Sequence, residues 1–160
     1  MTAEPSIRWA NGADYPVLAD AMFDAVRNGP SQYNERQREQ WVPRPRDGAE
    51  WVQRLDRQAI ALAEAPERIL GFMSLAPGGY IDFAYIRPEA QGSGLFRRLY
   101  ALIEQRAARG GEARLWVHAS LMAEPAFAAV GFMVTERQHV SIGDETFERF
   151  CMEKHLTGRS

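Results

Sequence analysis

The sequence predicts a single α/β domain, and three observations support this class. The chain has 160 residues, of which 46% are hydrophobic and 25% charged, an ordinary composition for one globular core. Between Tyr80 and Arg109 the apolar pattern changes from that of a strand to that of a helix across a glycine-bearing turn. A further strand follows the helix, and such a crossover predicts that the two strands lie parallel and adjacent.

The elements before this stretch are predicted from apolar spacing and from glycine and proline breaks. Within the polar segment Ser31–Val42, Tyr33, Gln37 and Trp41 recur at four-residue intervals and therefore share a predicted helix face. The full prediction for this half is strand Pro5–Ala10, helices Ala13–Val26 and Ser31–Val42, a helical turn or two at Glu50–Leu55, and strands Ala59–Ala63 and Ile69–Ala76.

The second half alternates strands and helices before it closes with a hairpin. Gly110 and Gly111 end the long helix, because glycine favours the end of a helix. The predicted elements are strand Tyr80–Ile86, a helix from Leu95 to Arg109, strand Ala113–His118, a short helix from Ser120 to Gly131, and hairpin strands Phe132–Val140 and Glu145–Lys154.

The turn from Gln91 to Gly94 is a candidate anion site. The first amides of a helix have no backbone partner, the helix dipole adds positive potential, and Gly92 and Gly94 let a ligand approach the backbone. Arg97 and Arg98 lie in the first turn, where a helix ordinarily favours acidic residues. They are either solvated surface residues or part of a phosphate site, and together with the glycines they favour phosphate.

The same turn resembles the acetyl-CoA signature of the GNAT superfamily of N-acetyltransferases. That pattern is Gln or Arg, two residues, Gly, one residue, then Gly or Ala. Gln91 and Gly94 match its first two landmarks, whereas Phe96 departs from the third. The turn does not match two other phosphate-binding patterns. It lacks the lysine of the P-loop, and its glycines do not have the spacing of GxGxxG.

Further segments are similar to the same family. Ala123, Phe127, Gly131 and Phe132 resemble its A-x-x-x-Y-x-x-x-G-F segment, with phenylalanine in place of tyrosine. The resemblance therefore implies one GNAT domain over residues 1–160. A largely uncharacterised bacterial subgroup of this family is the one that four further segments resemble, namely Tyr33-x-x-x-Gln37-x-x-x-Trp41, Ile81-Asp82, Ala119-Ser120 and Phe150–Lys154. The implied fold is a mixed, mostly antiparallel seven-stranded sheet with helices on both faces and a splayed parallel central strand pair.

The resemblance implies acetyl-CoA as cosubstrate, without a metal. The pantetheine arm would pair with the backbone of Ala84–Arg87, and the amides of the turn would hold the pyrophosphate. Ser120 would contact the pantetheine or act only as a helix cap. The implied cofactor-binding residues are Ala84, Tyr85, Ile86, Arg87, Gln91, Gly92, Ser93, Gly94, Leu95, Phe96, Arg97, Arg98, Ser120 and Phe127.

The implied reaction is direct attack of a primary amine on the thioester, which needs a base. Asp82 and His118 are the candidates. Period-2 alternation predicts that Asp82 shares a strand face with Tyr80, Ala84 and Ile86, and its structural alternative is a pair with an arginine. His118 titrates near neutrality, and its alternative is a solvated strand end.

The acceptor pocket of the family is built by the early helices and the terminal hairpin, which implies that Phe23, Tyr33, Gln37 and Trp41 bind the acceptor. These residues suit a small, partly apolar amine or a peptide amino terminus. Phe127 cannot donate a proton as tyrosine does, and this motivates an alternative, a non-catalytic acyl-CoA-binding regulatory module. A free-nucleotide site is a weaker alternative, because the turn has no acidic ribose partner.

Composition excludes other classes. A net charge of −2 gives no electrostatic case for nucleic acid or an anionic membrane. No apolar run of about 18 residues or signal peptide is present, and one cysteine, Cys151, fits a reducing cytoplasm as a buried structural thiol. No metal-ligand cluster is evident. The oligomeric state stays open, with a homodimer as one outcome.

Overall fold

The computed structural model describes residues 4–156, and its strands form one seven-stranded sheet in the order β1-β2-β3-β4-β5-β7-β6. Only β4 and β5 pair in parallel. The predicted mixed, mostly antiparallel sheet is therefore confirmed. The strands are β1 (Ser6–Trp9), β2 (Ala59–Ala65), β3 (Arg68–Ala76), β4 (Tyr80–Ile86), β5 (Arg114–Ala119), β6 (Met133–Ile142) and β7 (Glu145–His155).

Five α-helices cover the two faces of the sheet. They are α1 (Tyr15–Asn28), α2 (Glu35–Trp41), α3 (Gly48–Asp56), α4 (Leu95–Arg109) and α5 (Glu124–Ala129). On one face, Leu99 and Ile103 of α4 pack against β2, β3 and β5. On the other face, α1 and α3 pack on Phe72 and Phe83. Burying one such side chain stabilises the fold by about 1.5–3 kcal/mol.

Helix α2 is shorter than the predicted Ser31–Val42. The Asn34 side chain accepts a hydrogen bond from the Gln37 amide at 2.8 Å, and the Gln37 side chain accepts one from the Asn34 amide at 2.8 Å. This capping box starts the helix at Glu35, because it satisfies two amides that have no partner within the helix. Tyr33 therefore precedes the helix, although its ring still lies 5.8 Å from that of Trp41.

A β-bulge in β4 overturns the predicted alternation of its side chains. Met73 pairs with Ala84 and Leu75 with Ile81, so Asp82 and Phe83 together oppose the single residue Ser74. The Ser74 hydroxyl accepts a hydrogen bond from the Phe83 amide at 3.0 Å.

The bulge changes the face on which the strand continues. Tyr80 and Asp82 stay on the face covered by α3, whereas Ala84 and Ile86 pack on the α4 side. The four residues therefore do not share one face. The bulged residue breaks the two-residue period on which that prediction depended.

Candidate active site

The parallel strands β4 and β5 enclose a wedge. They pair only at Tyr80 with Trp116 and at Ile81 with Val117, and then separate. Beyond Ile81, the edge of β4 that faces β5 has no strand partner, so its backbone groups stay available for hydrogen bonds. A cavity of about 430 Å³ lies there, lined by residues that include Ala84, Tyr85 and Ile86. We call it the donor cavity.

The glycine turn forms one end of the donor cavity. Gly92 has φ 75° and Gly94 has φ 88°, a conformation that glycine adopts without strain. A Cβ atom added at either position would meet no atom within 4 Å, so the space above the turn is open. Helix α4 has no side-chain cap and no acidic residue in its first turn, which leaves its amides free for an anion.

Side chains of the turn maintain its shape. Gln91 donates a hydrogen bond to the Ile86 carbonyl at 3.1 Å, and the Ser93 hydroxyl donates one to the Ala90 carbonyl. Leu95 and Phe96 line the cavity behind the turn. All positions from Gln91 to Phe96 except Ser93 line the donor cavity, and their contacts with a cofactor stay a prediction.

The two arginines of α4 point in different directions. Arg97 lines the donor cavity and donates a hydrogen bond to the Ala129 carbonyl at 3.3 Å. Arg98 instead donates to the Pro5 carbonyl at 2.9 Å and lies 3.7 Å from the carboxylate of Glu4. The prediction for the Arg98 side chain is therefore corrected, since this group turns toward β1.

The side chains of Arg87 and Phe127 belong to the core, whereas the predicted cofactor contact of Arg87 concerns its backbone. The Arg87 side chain is 3% exposed and bonds to Asp20 at 2.8 Å and to Asp24 at 3.1 Å. Phe127 is 1% exposed, and its ring centroid lies 5.0 Å from that of Phe96. Neither side chain lines the donor cavity, because ion pairs hold Arg87 in the core and aromatic packing holds Phe127 there.

Two loops meet beside the donor cavity. Ser31 and Met122 line it from opposite sides, and the Ser31 hydroxyl donates a hydrogen bond to the Met122 sulfur at 3.5 Å. The Tyr33 hydroxyl donates to the Glu148 carbonyl at 2.7 Å and accepts from the Leu121 amide at 3.1 Å. These contacts join the loop before α2 to the segment after β5.

A second cavity of about 160 Å³ lies on the other side of β4, and we call it the acceptor cavity. It shares Trp41, Tyr85 and Ser120 with the donor cavity, so the two are neighbours at these residues. The Ser120 hydroxyl also accepts a hydrogen bond from the Ala123 amide at 3.1 Å, while α5 begins only at Glu124. Ala123 rather than Ser120 is therefore the N-cap residue of α5, and the contact of Ser120 with pantetheine stays a prediction.

Two of the four predicted acceptor-binding residues line this cavity. They are Tyr33 and Trp41. Gln37 lies outside it, because its amide donates to the Thr146 carbonyl at 2.8 Å while its oxygen caps α2. Phe23 packs beneath the guanidinium of Arg27 at 5.1 Å and lines neither cavity. The predictions for Gln37 and Phe23 are thereby corrected.

Asp82 lines the acceptor cavity as half of an ion pair. Its side chain is 8% exposed and accepts two hydrogen bonds from Arg54, at 2.7 and 2.9 Å. Gln58 donates a third hydrogen bond at 2.7 Å. Asp82 therefore forms the pair with an arginine that was the alternative to a role as base. The two hydrogen bonds from Arg54 occupy both carboxylate oxygens.

His118 lines the same cavity without a hydrogen-bonded side-chain partner among residues 4–156. Its ring lies 5.7 Å from that of Tyr80 and 5.6 Å from that of Trp116. Burial, and then the charge of Arg149, lower the pKa of His118 below its ordinary value of 6.5. The imidazole is therefore neutral at pH 7 and can accept a proton.

Cys151 lies opposite His118 in the register of β5 and β7, a proximity that sequence distance concealed. Its side chain is half-buried, and burial raises the pKa of the thiol. The thiol therefore stays protonated at neutral pH and is a poor nucleophile.

Sequence reasoning missed the arginines of the acceptor cavity. Arg46, Arg54 and Arg149 all line it, as does Tyr80. Arg149 lies two residues from both Phe147 and Cys151 along β7. The two-residue period of a strand could therefore have assigned all three to one face. Nothing local distinguishes Arg46 from other loop arginines, because only the fold brings its loop to β4.

The described part of the chain has neither a metal-ligand cluster nor a membrane-spanning helix. No cluster of three or more His, Cys, Asp or Glu side chains suited to a metal occurs within residues 4–156. Across the same residues, no helix combines the length and apolar character needed to cross a membrane.

Comparison with known proteins agrees with this architecture. The family described as Acetyltransferase (GNAT) domain matches residues 30–154, so the chain belongs to the GNAT acetyltransferase family. It is 27% identical over 147 residues to YafP, an uncharacterized N-acetyltransferase of Escherichia coli K12, covering 91% of this chain and 93% of that protein.

Solved structures share the fold over nearly the whole chain. A GCN5-related N-acetyltransferase from Rhodopseudomonas palustris superposes with a TM-score of 0.88 at 29% identity, covering 98% of each chain. The PaiA N-acetyltransferase of Thermoplasma acidophilum, solved in complex with coenzyme A, has a TM-score of 0.73 at 16% identity, covering 96% of this chain and 100% of that one. The second likeness concerns the fold alone.

Proposed function

We propose that this protein transfers an acetyl group from acetyl-CoA to a primary amine by direct attack, without an acyl-enzyme. The observation that carries the proposal is the meeting of two cavities at Trp41, Tyr85 and Ser120. One cavity offers unpaired backbone and a phosphate-type turn, and the other offers a neutral histidine. Donor and acceptor would therefore approach each other from opposite sides of β4.

The donor cavity fits acetyl-CoA by its chemistry. The open space over Gly92 and Gly94 admits a pyrophosphate, and the free amides of α4 together with Arg97 suit its charge. The unpaired edge of β4 suits the amides of the pantetheine arm. Bound acetyl-CoA supplies a thioester carbonyl as the electrophile.

His118 is the base in this proposal. As the amine nitrogen bonds to the acetyl carbon and the carbon–sulfur bond breaks, one proton passes from the amine to His118. Asp82 is less suited to this task, since Arg54 and Gln58 occupy its oxygens. Its charge instead balances Arg54 and acts to raise the pKa of His118.

Tyr85 takes the position beside the leaving group that Phe127 cannot fill. It lines both cavities, and its hydroxyl has no hydrogen-bond partner among the described residues. Burial raises the pKa of Tyr85, so the phenol keeps its proton and can donate a hydrogen bond to the departing sulfur. Solvent in the open wedge then supplies the proton that the thiolate takes.

Thiol release from acetyl-CoA against a panel of amines tests the proposal, with mass spectrometry of the acetylated product. We expect turnover that falls strongly in His118→Gln and less in Tyr85→Phe. Tight binding of CoA with no acetylated amine would contradict the proposal and favour a protein that only binds acyl-CoA.

A further inference from the structure

We propose that the acceptor is an amino acid with an uncharged side chain, whose carboxylate is bound by Arg46 and Arg149. This inference rests on the proposed function, because it names the class of that reaction's second substrate. It is carried by the charges, the size and the walls of the acceptor cavity.

The acceptor cavity has an excess of positive charge. Three arginines line it together with a single carboxylate, that of Asp82. Asp82 is already paired with Arg54 at 2.7 Å. Arg46 and Arg149 are therefore left without an anionic partner on the cavity wall.

The two remaining guanidinium groups have free donors. Arg46 forms no ion pair or side-chain hydrogen bond with residues 4–156 that meets ordinary distance limits. Arg149 uses its Nε to donate to the Gln138 side chain at 3.0 Å, which leaves its terminal nitrogens without a partner in the same part of the chain. The Gln138 contact holds the group in position beside the cavity.

The charges of both arginines are felt by groups inside the cavity. Burial has the largest effect on the pKa of both Tyr85 and His118. In addition, the charge of Arg46 acts to lower the pKa of Tyr85, and the charge of Arg149 acts to lower the pKa of His118. Two like charges directed at one small space repel each other, and an anion bound between them removes that cost.

This arrangement differs from that of the arginines Arg68 and Arg114, which are paired with a carboxylate. Arg68 lies 2.8 Å from Glu89, and Arg114 lies 2.7 Å from Glu153. A guanidinium without such a partner, on the wall of a substrate cavity, suits a carboxylate in particular, because its planar fork matches two oxygens.

Size and wall chemistry restrict the rest of the acceptor. The volume of about 160 Å³ is below the roughly 300–1,000 Å³ of sites for drug-sized ligands. Its other walls are largely apolar or aromatic and include Tyr33, Trp41, Val140, Ile142 and Phe147. A small uncharged side chain fits these walls, whereas a polyamine would add positive charge to a positive cavity.

The test compares standard L-amino acids with their amides, which keep the amine and the side chain but lack the carboxylate. We expect kcat/KM to favour the acid at least about tenfold for the best acceptor, the size of effect that a charged hydrogen bond provides. Arg46→Gln and Arg149→Gln should each raise the KM of the acid about tenfold and leave that of the amide unchanged. Arg46 lies in an exposed loop, so its replacement leaves the core intact.

Arg44→Gln is the matched control, because Arg44 lines a neighbouring cavity but not the acceptor cavity. It should retain the preference for the acid. Equal use of acids and amides, or a preference for spermidine, would overturn the inference while leaving the proposed acetyl transfer intact.

If no amine is acetylated, the proposed function fails, and calorimetry then tests the subsite separately. Binding of N-acetyl-L-leucine in the presence of CoA should weaken about tenfold in Arg149→Gln. Unchanged binding in that variant would overturn the carboxylate site.

Discussion

The two cavities beside β4 are built by different means. Half of the residues that line the donor cavity come from one continuous stretch, from the edge of β4 through the glycine turn to the start of α4, and this stretch offers mainly backbone groups. The acceptor cavity collects side chains from segments far apart in the chain, such as Tyr33, Arg46, His118 and Arg149. A backbone site can thus be specified by local sequence, whereas a side-chain site requires the complete fold.

The two cavities should also respond differently to substitution of their side chains. The donor cavity tolerates varied side chains provided that the turn keeps its glycines and α4 keeps its free amides. In the acceptor cavity, one substitution changes charge or shape at once. The following variants test this division.

The largest effect is expected for His118→Gln, which removes the proposed base. We expect kcat to fall about 10²- to 10⁴-fold, the usual contribution of general base catalysis. The KM for acetyl-CoA should stay near that of the wild type, because His118 lines only the acceptor cavity. Steady-state kinetics check this, with His139→Gln on the exposed part of β6 as the control. An equal loss in both variants would argue against a base at His118.

Arg87→Met should reduce stability instead of acetyl-CoA binding. Removing the buried guanidinium takes one partner from Asp24 and leaves the buried Ile69 carbonyl without its hydrogen bond, which costs about 1–3 kcal/mol in the free energy of unfolding. Arg114→Met, which breaks an exposed pair with Glu153, should cost at most about 1 kcal/mol. Denaturant unfolding measures both values. A raised acetyl-CoA KM with unchanged stability would instead indicate that the Arg87 side chain binds the cofactor.

Gly94→Val tests the backbone character of the donor site. A β-branched residue at φ 88° is strained, and its side chain would occupy the open space over the turn. We expect the KM for acetyl-CoA to rise about tenfold or more, since charge-assisted bonds to phosphate are lost. Gly111→Val has the same strain, at φ 83° with open space around it, but lies at the far end of α4. Similar KM changes in both variants would exclude a specific role for the turn.

The smallest expected effect concerns pH. Burial and Arg149 lower the pKa of His118, so its neutral form persists below the ordinary value of 6.5. The kcat/KM should therefore be retained at neutral pH and lost as the pH falls through that lowered pKa. Arg149→Gln should move this acidic limb to higher pH, measured with an amino acid amide as acceptor. If the acidic limb stays in place in Arg149→Gln, or is still present in His118→Gln, the titrating group is a residue other than His118.

The sequence alone determined the fold class and the donor half of the site. The strand Tyr80–Ile86 and the helix Leu95–Arg109 have the predicted bounds, because apolar period, glycine and proline act within a few residues. The free amides at Gly94 follow from the same local signals. This is why the position of the glycine turn could be inferred before any contact was known.

Only the tertiary structure decided the acceptor half. The bulge opposite Ser74 places Asp82 beside Arg54, and strand pairing places Cys151 beside His118. The side chain of Arg87 forms a core ion pair for the same reason. These outcomes depend on which distant residues meet. The energy of a buried charge is determined by its neighbours in space, and local sequence does not specify them.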